Sequence, residues 1–593
     1  MGKRMTKNLS LVPELSKNAL RLLEKRYLAR DADGCPLEGP REMLRRVARN
    51  IASVETVFHP GADVEFWERK FYRIMSNLEF LPNSPTLMNA GRELQQLAAC
   101  FVLPVEDSID SIFEAVKNTA KIHQSGGGTG FSLSELRPEG DIVGTTRGIA
   151  SGPVSFMRIF DLSTEVIRQG GMRRGANMGV LNVTHPDIVR FITAKKEKGA
   201  FHNFNLSVGV TDEFIEKVKK RLGYKLINPR DGKVAIEVNA GEIFDLIVNT
   251  AWETGDPGLL FIDRLNETNP TPQLGRVEAT NPCGEAVLLP FESCNLGSIN
   301  LVKMLRYKGD DIFKIHWDKI AATVRVAVRF LDNVIEANRY PLPEIERATR
   351  ATRKIGLGVM GFADMLIRLG VAYDSQEGIR IAEELMSYIN KVALDASVGL
   401  AKERGPFPSY KGSTFEANGS SIPRNATRTT IAPTGSLSII ADCSSGIEPL
   451  FALSYIRNIL EKEALRETNA YFQEVAKKEG FYSSELDIQL SKGKHLREIP
   501  GIPERIKCLF VTAHDISPEW HVRMQASFQK YTDNAVSKTV NLPHYASPSD
   551  VAKVFLLAYQ LGCKGITVYR NLTRNGQPLA IACGNGAKSC PYE

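Results

Sequence analysis

The segment Asn281-Pro-Cys-Gly-Glu285 places an amide, a thiol and a carboxylate within five residues. The proline and the glycine between these groups favour a rigid turn or loop, which would hold the three side chains in fixed relative positions. A thiol in such a place can act in redox or nucleophilic chemistry, with the carboxylate beside it available for proton transfer. This is the most informative short stretch of the chain.

Two further cysteines stand apart from this segment. Cys294 follows Cys283 after eleven residues, and Cys100 lies in the apolar run Leu97–Pro104. A free cysteine most often behaves as a small buried apolar residue, so burial without chemistry is the alternative for each of them.

The last two cysteines have a different setting. Cys583 and Cys590 lie in the segment 571–593, which has no apolar period and contains several glycines. Two thiols on a flexible polar tail favour redox exchange or metal capture over a place in the core. A complete zinc site is disfavoured because no histidine lies near the two thiols.

The composition indicates a globular enzyme. The chain has 593 residues, of which 43% are hydrophobic and 24% are charged, and this excludes the disordered, collagenous and coiled-coil classes. A net charge of +7 suits anionic small molecules better than a long nucleic-acid contact. Nine cysteines are too few for a disulfide scaffold, and no stretch reaches the roughly 18 apolar residues of a membrane span. We therefore expect a cytoplasmic protein that binds neither membranes nor nucleic acid.

The pattern of apolar residues changes near residue 93. Before it, Leu15–Tyr27 and Pro40–Ala52 carry apolar residues at three- and four-residue spacing, so residues 1–92 are predicted to be a helical region. After it, short apolar runs alternate with helical patterns such as Trp317–Ala337 and Glu377–Lys402, which predicts parallel α/β architecture over 93–570. The predicted strands are Ala98–Val105, Asn205–Val210, Thr429–Ile431 and Ile566–Tyr569.

The segment Gly356-Leu-Gly-Val-Met-Gly361 formally matches the dinucleotide-binding fingerprint. That fingerprint needs a buried strand immediately before the first glycine. The preceding Arg347–Lys354 is instead a basic helical pattern, so we expect a tight turn with close packing. A nicotinamide-dependent dehydrogenase is therefore an unfavoured alternative.

Together these motifs resemble the large catalytic chain of ribonucleotide reductase. The resemblance runs from about residue 82 to residue 570, with several long motifs in the family's order. These are Pro82–Gly91, Asn281–Glu285, Lys354–Asp364, Ala432–Ser436 and Gly446–Phe451. It implies a ten-stranded α/β barrel of two five-stranded halves with a central finger loop, preceded by a helical region and followed by a redox-active tail, 571–593.

The resemblance also implies roles for the catalytic residues. Cys283 would carry a thiyl radical that removes the 3′ hydrogen of the ribose, Glu285 would take the 3′-hydroxyl proton, and Asn281 would hydrogen-bond the substrate hydroxyls. Cys100 and Cys294 would reduce the substrate at C2′ and end as a disulfide.

The tail would then restore the active site. Cys583 lies thirteen residues after Arg570, so an extended tail can reach on the order of 40 Å. By the resemblance, Cys583 or Cys590 would reduce the internal disulfide by thiol exchange, and a thioredoxin or glutaredoxin would reduce the tail.

The resemblance implies substrate- and effector-binding positions as well. The phosphates of a ribonucleoside diphosphate would lie on a loop before an apolar helical run, an anion site of the helix-N-terminus kind. The substrate positions are Ser84, Ala99, Gly128, Pro433, Thr434, Gly435, Ser436 and Leu437. A deoxynucleotide or ATP would bind at a homodimer interface to select the base, and the loop Lys195–Phe204 would carry that signal to the substrate. The effector positions are Asp107, Ser108, Ile109 and Arg137.

The C-terminal motifs indicate the radical source. Gly562–Arg570 contains one tyrosine rather than the adjacent pair of the oxygen-dependent class, and together with His521–Lys538 it looks like the adenosylcobalamin-dependent class. No Asp-x-His-x-x-Gly signature is present, so no protein side chain is expected to bind the cobalt. The sequence does not identify individual cobalamin contacts.

Several alternatives stay open at this point. The chain could be the large subunit of an oxygen-dependent reductase with a separate radical subunit, which the single tyrosine disfavours. A nucleotide-sensing regulator without catalysis is disfavoured by the complete set of five cysteines. Diphosphate substrates are preferred over triphosphates because the effector positions imply a dimer.

Overall fold

The computed structural model describes residues 12–142, 148–167, 175–197, 199–309, 312–419, 421–460, 463–491, 494–571, 573 and 579–580. Cys583 and Cys590 lie outside these residues. Among the helices described, none is long and apolar enough to cross a membrane.

The N-terminal region is a group of amphipathic helices. Ser16 caps the first helix by accepting a hydrogen bond from the backbone of Ala19, and Asp63 caps the fourth in the same way. The predicted helices at Leu15–Tyr27 and Pro40–Ala52 are confirmed. The helices of this region span Lys17–Arg26, Pro40–Ser53, Glu55–Phe58 and Val64–Ser76.

The rest of the chain is built around a ten-stranded sheet, as the family resemblance implied. Its strands are β1 (Phe80–Pro82), β2 (Cys100–Val102), β3 (Gly128–Ser132), β4 (Asn177–Asn182), β5 (Phe204–Val210), β8 (Gly258–Phe261), β11 (Ser293–Asn300), β14 (Ile355–Met360), β17 (Thr539–Leu542) and β18 (Gly565–Arg570). Short pairs and an outlying three-stranded sheet use β6 (Gly223–Ile227), β7 (Val234–Asn239), β9 (Ala279–Thr280), β10 (Val287–Leu288), β12 (Leu305–Tyr307), β13 (Phe313–Ile315), β15 (Ser454–Leu460), β16 (Glu463–Thr468) and β19 (Leu579–Ala580).

One half of the large sheet is a run of five parallel strands, β2-β3-β4-β5-β8. β11 joins this half by antiparallel pairing with β2 and leads to β14 by parallel pairing. At the other edge, β18 pairs antiparallel with β8 and parallel with β17. Isolated bridges Leu357–Thr429 and Ile431–Val536 connect β14 with the segment just before β17, so the two edges approach each other.

Helices cover the sheet, and the two long helices predicted from the sequence are confirmed. They are Trp317–Ala337 and Gln376–Arg404. The others after the N-terminal region are Ser84–Asn89, Ile109–Ser125, Gly152–Val166, Ile188–Ile192, Asp212–Lys220, Ala240–Thr254, Ile262–Glu267, Pro343–Thr352, Phe362–Arg368, Thr414–Asn418, Leu437–Ile440, Ala470–Lys478, Ser484–Ser491, Glu504–Leu509, Pro518–Gln529 and Pro548–Gln560, with single 3-10 turns at Pro272–Leu274, Leu301–Met304, Pro408–Tyr410 and Leu496–Glu498.

The glycine-rich segment 356–361 differs from the expected tight turn. Gly356 and Gly358 lie inside β14, which is buried along its whole length. A Cβ on Gly358 would lie 2.2 Å from the carbonyl oxygen of Thr430, so the close packing was predicted correctly and the turn was not. Only Gly361, which precedes the helix Phe362–Arg368, leaves the strand conformation. A nicotinamide site needs these glycines in a turn between a strand and a helix. Because Gly356 and Gly358 lie within a strand instead, the segment does not support such a site.

Buried charges connect the helical region to the sheet region. Glu55, in the helical region, is fully buried and accepts hydrogen bonds from Arg329 and Arg404 at 2.7–2.8 Å. Asp332, also fully buried, pairs with Arg353 at 2.8 Å and with Arg404 at 3.0 Å. Arg404 therefore bridges two buried carboxylates that belong to different parts of the chain.

Candidate active site

The segment Asn281–Glu285 forms the tip of a short hairpin. β9 and β10 pair on either side of it, and the backbone of Gly284 donates to the carbonyl oxygen of Asn281 at 3.0 Å, which closes a turn with Cys283 at its corner. Gly284 has φ +80°, a conformation that residues with a side chain rarely adopt. The sequence Pro-Cys-Gly thus makes the rigid turn that its composition predicted.

Asn281 holds this turn together with its side chain. Its Oδ1 accepts a hydrogen bond from the backbone of Ala286 at 3.0 Å, and its Nδ2 donates to Sγ of Cys100 at 3.1 Å. The buried amide therefore fixes the width of the loop and connects the loop to a second cysteine.

The loop lies directly against the strands of the sheet, and in β3 a glycine makes this close approach possible. A Cβ on Gly130 of β3 would lie 1.8 Å from the carbonyl oxygen of Thr280, closer than any real contact. Asn205 of β5 donates to the carbonyl oxygen of Pro282 at 2.7 Å, and the backbone of Ala535 donates to that of Glu285 at 3.0 Å. Backbone contacts from three directions therefore set the position of Cys283.

A cavity of about 990 Å³ opens beside the loop. Cys283 is exposed and lines this cavity, whereas Asn281 and Glu285 are 3% exposed. The thiol is thus accessible to a ligand, while the amide and the carboxylate next to it are shielded from bulk water.

Cys100 and Cys294 are direct neighbours across two antiparallel strands. They are register partners in the pairing of β2 with β11, and both are buried. Directly opposed residues in such a pair have Cα atoms roughly 4.5–5.5 Å apart with side chains on one face. Disulfides require Cα separations of roughly 4.4–6.8 Å, so the sheet places the two thiols where they can bond.

A buried ion pair lies next to Cys294. Nζ of Lys354 is 2.6 Å from Oε2 of Glu292, and both side chains are at most 2% exposed. Burial raises the pKa of the Cys294 thiol, an effect that the charge of Lys354 opposes and that of Glu292 reinforces. No sequence motif pointed to this pair, because the two residues are 62 positions apart and meet only through the sheet.

The structure describes all eight predicted substrate residues. Of these eight, Pro433 alone lines the cavity. The hydroxyl of Thr434 accepts a hydrogen bond from the backbone of Gly446 at 2.7 Å, which ties the loop 433–437 to the Gly446–Phe451 motif. The helix after this loop, Leu437–Ile440, has only four residues. An apolar helix therefore follows the loop as expected, but it is too short for its dipole to be more than a weak basis for phosphate binding.

The other predicted substrate residues lie on strand ends and a short helix near the loop. Gly128 is the register partner of Cys100, and Ala99 precedes Cys100. A Cβ on Gly128 would contact the ring of Pro282 at 3.0 Å. The hydroxyl of Ser84 is hydrogen-bonded to that of Tyr27 at 2.8 Å.

The predicted effector residues form one cluster. Nε of Arg137 donates to Asp107 at 2.8 Å, and the backbone of Arg137 donates to the same carboxylate at 3.1 Å. Ser108 caps the helix that begins at Ile109, whose side chain is 62% exposed. In the predicted signalling loop 195–204, Lys195 pairs with Asp256 at 2.9 Å, and residue 198 lies outside the described residues.

Among the residues that the structure describes, no three or more His, Cys, Asp or Glu side chains are placed to hold a metal ion together.

Comparison with known proteins matches the two parts of this chain to two family models. Residues 13–95 match the all-alpha domain of ribonucleotide reductase, and residues 98–569 match its barrel domain. The alpha subunit of a class Id ribonucleotide reductase from Actinobacillus ureae has the same fold, with a TM-score of 0.76 and 23% identity over 94% of this chain and 97% of that chain.

Two relatives are much more similar in sequence. The vitamin B12-dependent ribonucleoside-diphosphate reductase of Thermoplasma acidophilum is 49% identical over 97% of this chain and 81% of that protein. The protein of the same name from Mycobacterium tuberculosis is 49% identical over 96% of this chain and 81% of that protein. The chain therefore belongs to the ribonucleotide reductase large-chain family.

Proposed function

We propose that this chain is a ribonucleoside-diphosphate reductase that uses adenosylcobalamin. The observation that carries the proposal is the grouping of Cys283, Asn281 and Glu285 on one rigid turn beside the Cys100–Cys294 pair. Relatives that are 49% identical and carry the name vitamin B12-dependent ribonucleoside-diphosphate reductase support the substrate and the cofactor.

Cys283 is proposed to remove the 3′ hydrogen of the ribose as a thiyl radical. Its side chain is exposed at the corner of a turn whose backbone is held from several directions. Positioning of this kind can supply roughly 7–11 kcal/mol of barrier reduction, because the reacting atoms need no further ordering.

Glu285 and Asn281 are proposed to handle the substrate hydroxyls. A carboxylate that accepts the 3′-hydroxyl proton gives the oxygen alkoxide character and so favours loss of the 2′ substituent. The Nδ2 group of Asn281 lies between the loop and the Cys100 thiol, so it can orient both a substrate hydroxyl and that thiol.

Cys100 and Cys294 are proposed to supply the two reducing equivalents. The 2′-hydroxyl leaves as water, the two thiols become one disulfide, and the ribose becomes a deoxyribose. Cys583 and Cys590, outside the described residues, are proposed to exchange with this disulfide, with a thioredoxin or glutaredoxin as the external reductant. Chemistry that depends on reduced thiols fits a cytoplasmic location.

The cavity beside the loop is large and partly polar. Its volume of about 990 Å³ lies at the upper end of the roughly 300–1,000 Å³ of ligand pockets. Gln525 lines it, and the buried Oε1 of that side chain has no hydrogen-bond partner among the described residues. Such an acceptor suits the amide groups around a corrin ring, and Gln525 and Asn541 would hold them. When bound, adenosylcobalamin supplies the one-electron oxidation that turns the Cys283 thiol into a thiyl radical.

A homodimer with effectors at its interface is part of the proposal. The helices Ile109–Ser125 and Gly152–Val166 expose large apolar side chains with four-residue spacing, a pattern that favours burial against a second copy. They are Ile109, Phe113, Leu162 and Val166, which are 49–72% exposed. The Asp107–Arg137 cluster lies at the start of the first of these helices, where a deoxynucleotide or ATP would bind.

Anaerobic reduction of CDP by the purified chain tests this function. We expect repeated turnover of CDP to dCDP only when adenosylcobalamin, a dithiol and an effector nucleotide are present, and no dCDP from the Cys283→Ser variant. Product without the cofactor would contradict the proposed radical source. Product from CTP but not from CDP would contradict the diphosphate specificity.

A further inference from the structure

The buried ion pair between Lys354 and Glu292 has no part in the chemistry described so far. Removing two charges from water costs several kcal/mol per ion, and well-packed apolar residues in their place are often as stable. A pair that is at most 2% exposed is therefore weakly explained by stability alone. Its position beside Cys294 suggests a role in the chemistry of that thiol.

The sheet places Lys354 on one side of Cys294 and Cys100 on the other. β14 runs parallel to β11, with Ile355 opposite Asn295, so Lys354 and Cys294 precede a register pair. Sγ of Cys294 lies 3.9 Å from the carbonyl oxygen of Lys354. Cys294 thus lies between its disulfide partner and the backbone of Lys354, and the charge of Lys354 acts to lower the pKa of its thiol.

Glu292 keeps that cation in place. Its Oε2 accepts hydrogen bonds from Nζ of Lys354 at 2.6 Å and from the backbone of Leu289 at 2.7 Å. Its Oε1 accepts one from the hydroxyl of Thr352 at 2.8 Å. The two donors other than the lysine fix the position of the Glu292 carboxylate. The carboxylate in turn fixes the position of the Lys354 ammonium group.

Cys100 has different surroundings. Its Sγ accepts a hydrogen bond from the amide of Asn281, in the loop whose neighbouring residues Pro282 and Cys283 line the cavity. Both sulfurs are buried, Cys100 at 3% and Cys294 at 0% exposed, and Cys100 is the one hydrogen-bonded to the loop beside the cavity. The two sulfurs therefore differ in both approach and charge.

We propose, on the basis of the function proposed above, that Lys354 and Glu292 give the re-reduction of the Cys100–Cys294 disulfide a fixed direction. The attacking thiolate bonds to Sγ of Cys100, the bond between Cys100 and Cys294 breaks, and its electron pair stays on Sγ of Cys294. The Cys294 thiolate leaves next to the Lys354 ammonium. A second thiolate then attacks the external sulfur bound to Cys100, which releases the Cys100 thiolate and completes oxidation of the reductant.

Lys354 is in this account a positioning residue that stabilises a leaving group. The rate of thiol–disulfide exchange rises as the leaving thiolate becomes more stable, and the sulfur that is attacked depends on access. Access assigns the attack to Cys100, and the charge of Lys354 offsets part of the cost of placing the leaving charge on the buried Cys294. The partition of a mixed disulfide between the two cysteines measures this directly, and a merely structural ion pair would not change it.

The experiment uses the full chain with Cys583→Ser and Cys590→Ser, so that an added thiol is the only reductant. Anaerobic diamide oxidation forms the internal disulfide without turnover, and peptide mapping verifies it. After a brief reaction with glutathione and an acid quench, free thiols are alkylated and the peptides are mapped by mass spectrometry. We expect glutathione on Cys100 at least about ten times as often as on Cys294.

Charge-neutral variants provide the second measurement. Lys354→Met together with Glu292→Gln removes both charges and avoids leaving one of them buried alone. We expect this variant to open the disulfide about tenfold more slowly, with a partition within about threefold of equality. Lys354→Arg keeps the cation and should keep the preference for Cys100.

The outcomes separate this proposal from the function on which it rests. If no Cys100–Cys294 disulfide forms, the redox pair itself is contradicted, and this proposal with it. If the disulfide forms but glutathione appears mainly on Cys294, only the direction is contradicted. An unchanged partition and rate in the neutral variant would overturn the role of Lys354, and the partition in the parent chain remains decisive if that variant does not fold.

Discussion

At the scale of single residues, the candidate site depends on three side chains, one of them exposed and two buried. Cys283 reaches the cavity, Glu285 is buried beside it, and Asn281 connects the loop to Cys100. Residue types and spacing predicted the turn and its chemistry. They did not predict the contact of Asn281 with a thiol 181 positions away, since that contact exists only after the strands have paired.

Glu285→Gln is the residue-scale prediction. The substitution keeps the size of a buried side chain but removes the group that takes the 3′-hydroxyl proton, and general-base catalysis is typically worth about 10²–10⁴-fold. We expect kcat for CDP to fall by that factor, while Kd for CDP changes less than about threefold. Steady-state kinetics and equilibrium binding measure the two quantities, and a variant with full kcat would remove Glu285 from the mechanism.

At the scale of elements, strand register places the reactive groups together. The pairing of β2 with β11 brings Cys100 opposite Cys294, and the parallel pairing of β11 with β14 adds Lys354. Gly130 in β3 lets the hairpin tip lie against the sheet, because its missing side chain leaves room for the backbone of Thr280. The active-site geometry is thus a consequence of the sheet.

Gly130→Ala tests that statement. A Cβ 1.8 Å from a backbone oxygen must displace the loop or the strand, so we expect at least a 100-fold loss of CDP reduction and a lower Tm. The control is Gly399→Ala in the helix Gln376–Arg404, where a Cβ meets nothing within 4 Å. That variant should be fully active and up to about 1 kcal/mol more stable. Equal behaviour of the two variants would contradict the close seating of the loop.

The sequence predicted elements better than it predicted their contacts. Amphipathic spacing identified Trp317–Ala337 with both ends correct. The pairing of Cys100 with Cys294 came from family resemblance, because nothing in the spacing of nine cysteines selects it. The Gly356–Gly361 segment was mistaken for a turn because two of the six residues of this buried strand are glycines, which are uncommon in strands and typical of turns. Lys354 begins one of the family motifs, but nothing in the sequence indicated its pairing with Glu292.

At the scale of the whole molecule, a network of buried charges joins the helical region to the sheet. Burial raises the pKa of Asp332, but Arg353, Arg424 and Arg404 outweigh it and hold the pKa below its usual value. A carboxyl group whose pKa is lowered by folding stabilises the protein above its unfolded pKa. That contribution is lost as the pH falls through the folded value.

Asp332→Asn should therefore weaken the protein in a pH-dependent way. At pH 7 we expect a loss of about 3–5 kcal/mol, because three buried arginines each lose one of their charged partners. Below about pH 4 the parent chain should lose stability more steeply than the variant. Calorimetric Tm values from pH 3 to 7 measure both effects, and Asp245→Asn, which removes an exposed ion pair with Arg221, is the control with little expected change.

Leu162→Glu tests the assembly. Leu162 is 62% exposed on one of the two helices that present an apolar face, and a carboxylate there would be buried without a partner in a dimer. We expect sedimentation velocity to show a dimer for the parent chain and a monomer for the variant at equal concentration. Leu37→Glu, at a 68% exposed position in the helical region, should leave the dimer intact. A monomeric parent chain would contradict the proposed interface.

The most direct test of the account is a single turnover of the chain with Cys583→Ser and Cys590→Ser, without any external reductant. CDP, adenosylcobalamin and an effector would be supplied anaerobically, and both dCDP and the disulfides would be quantified per chain. The account predicts one dCDP per active chain, matched by one disulfide between Cys100 and Cys294. Formation of dCDP with both of these thiols still free would contradict it.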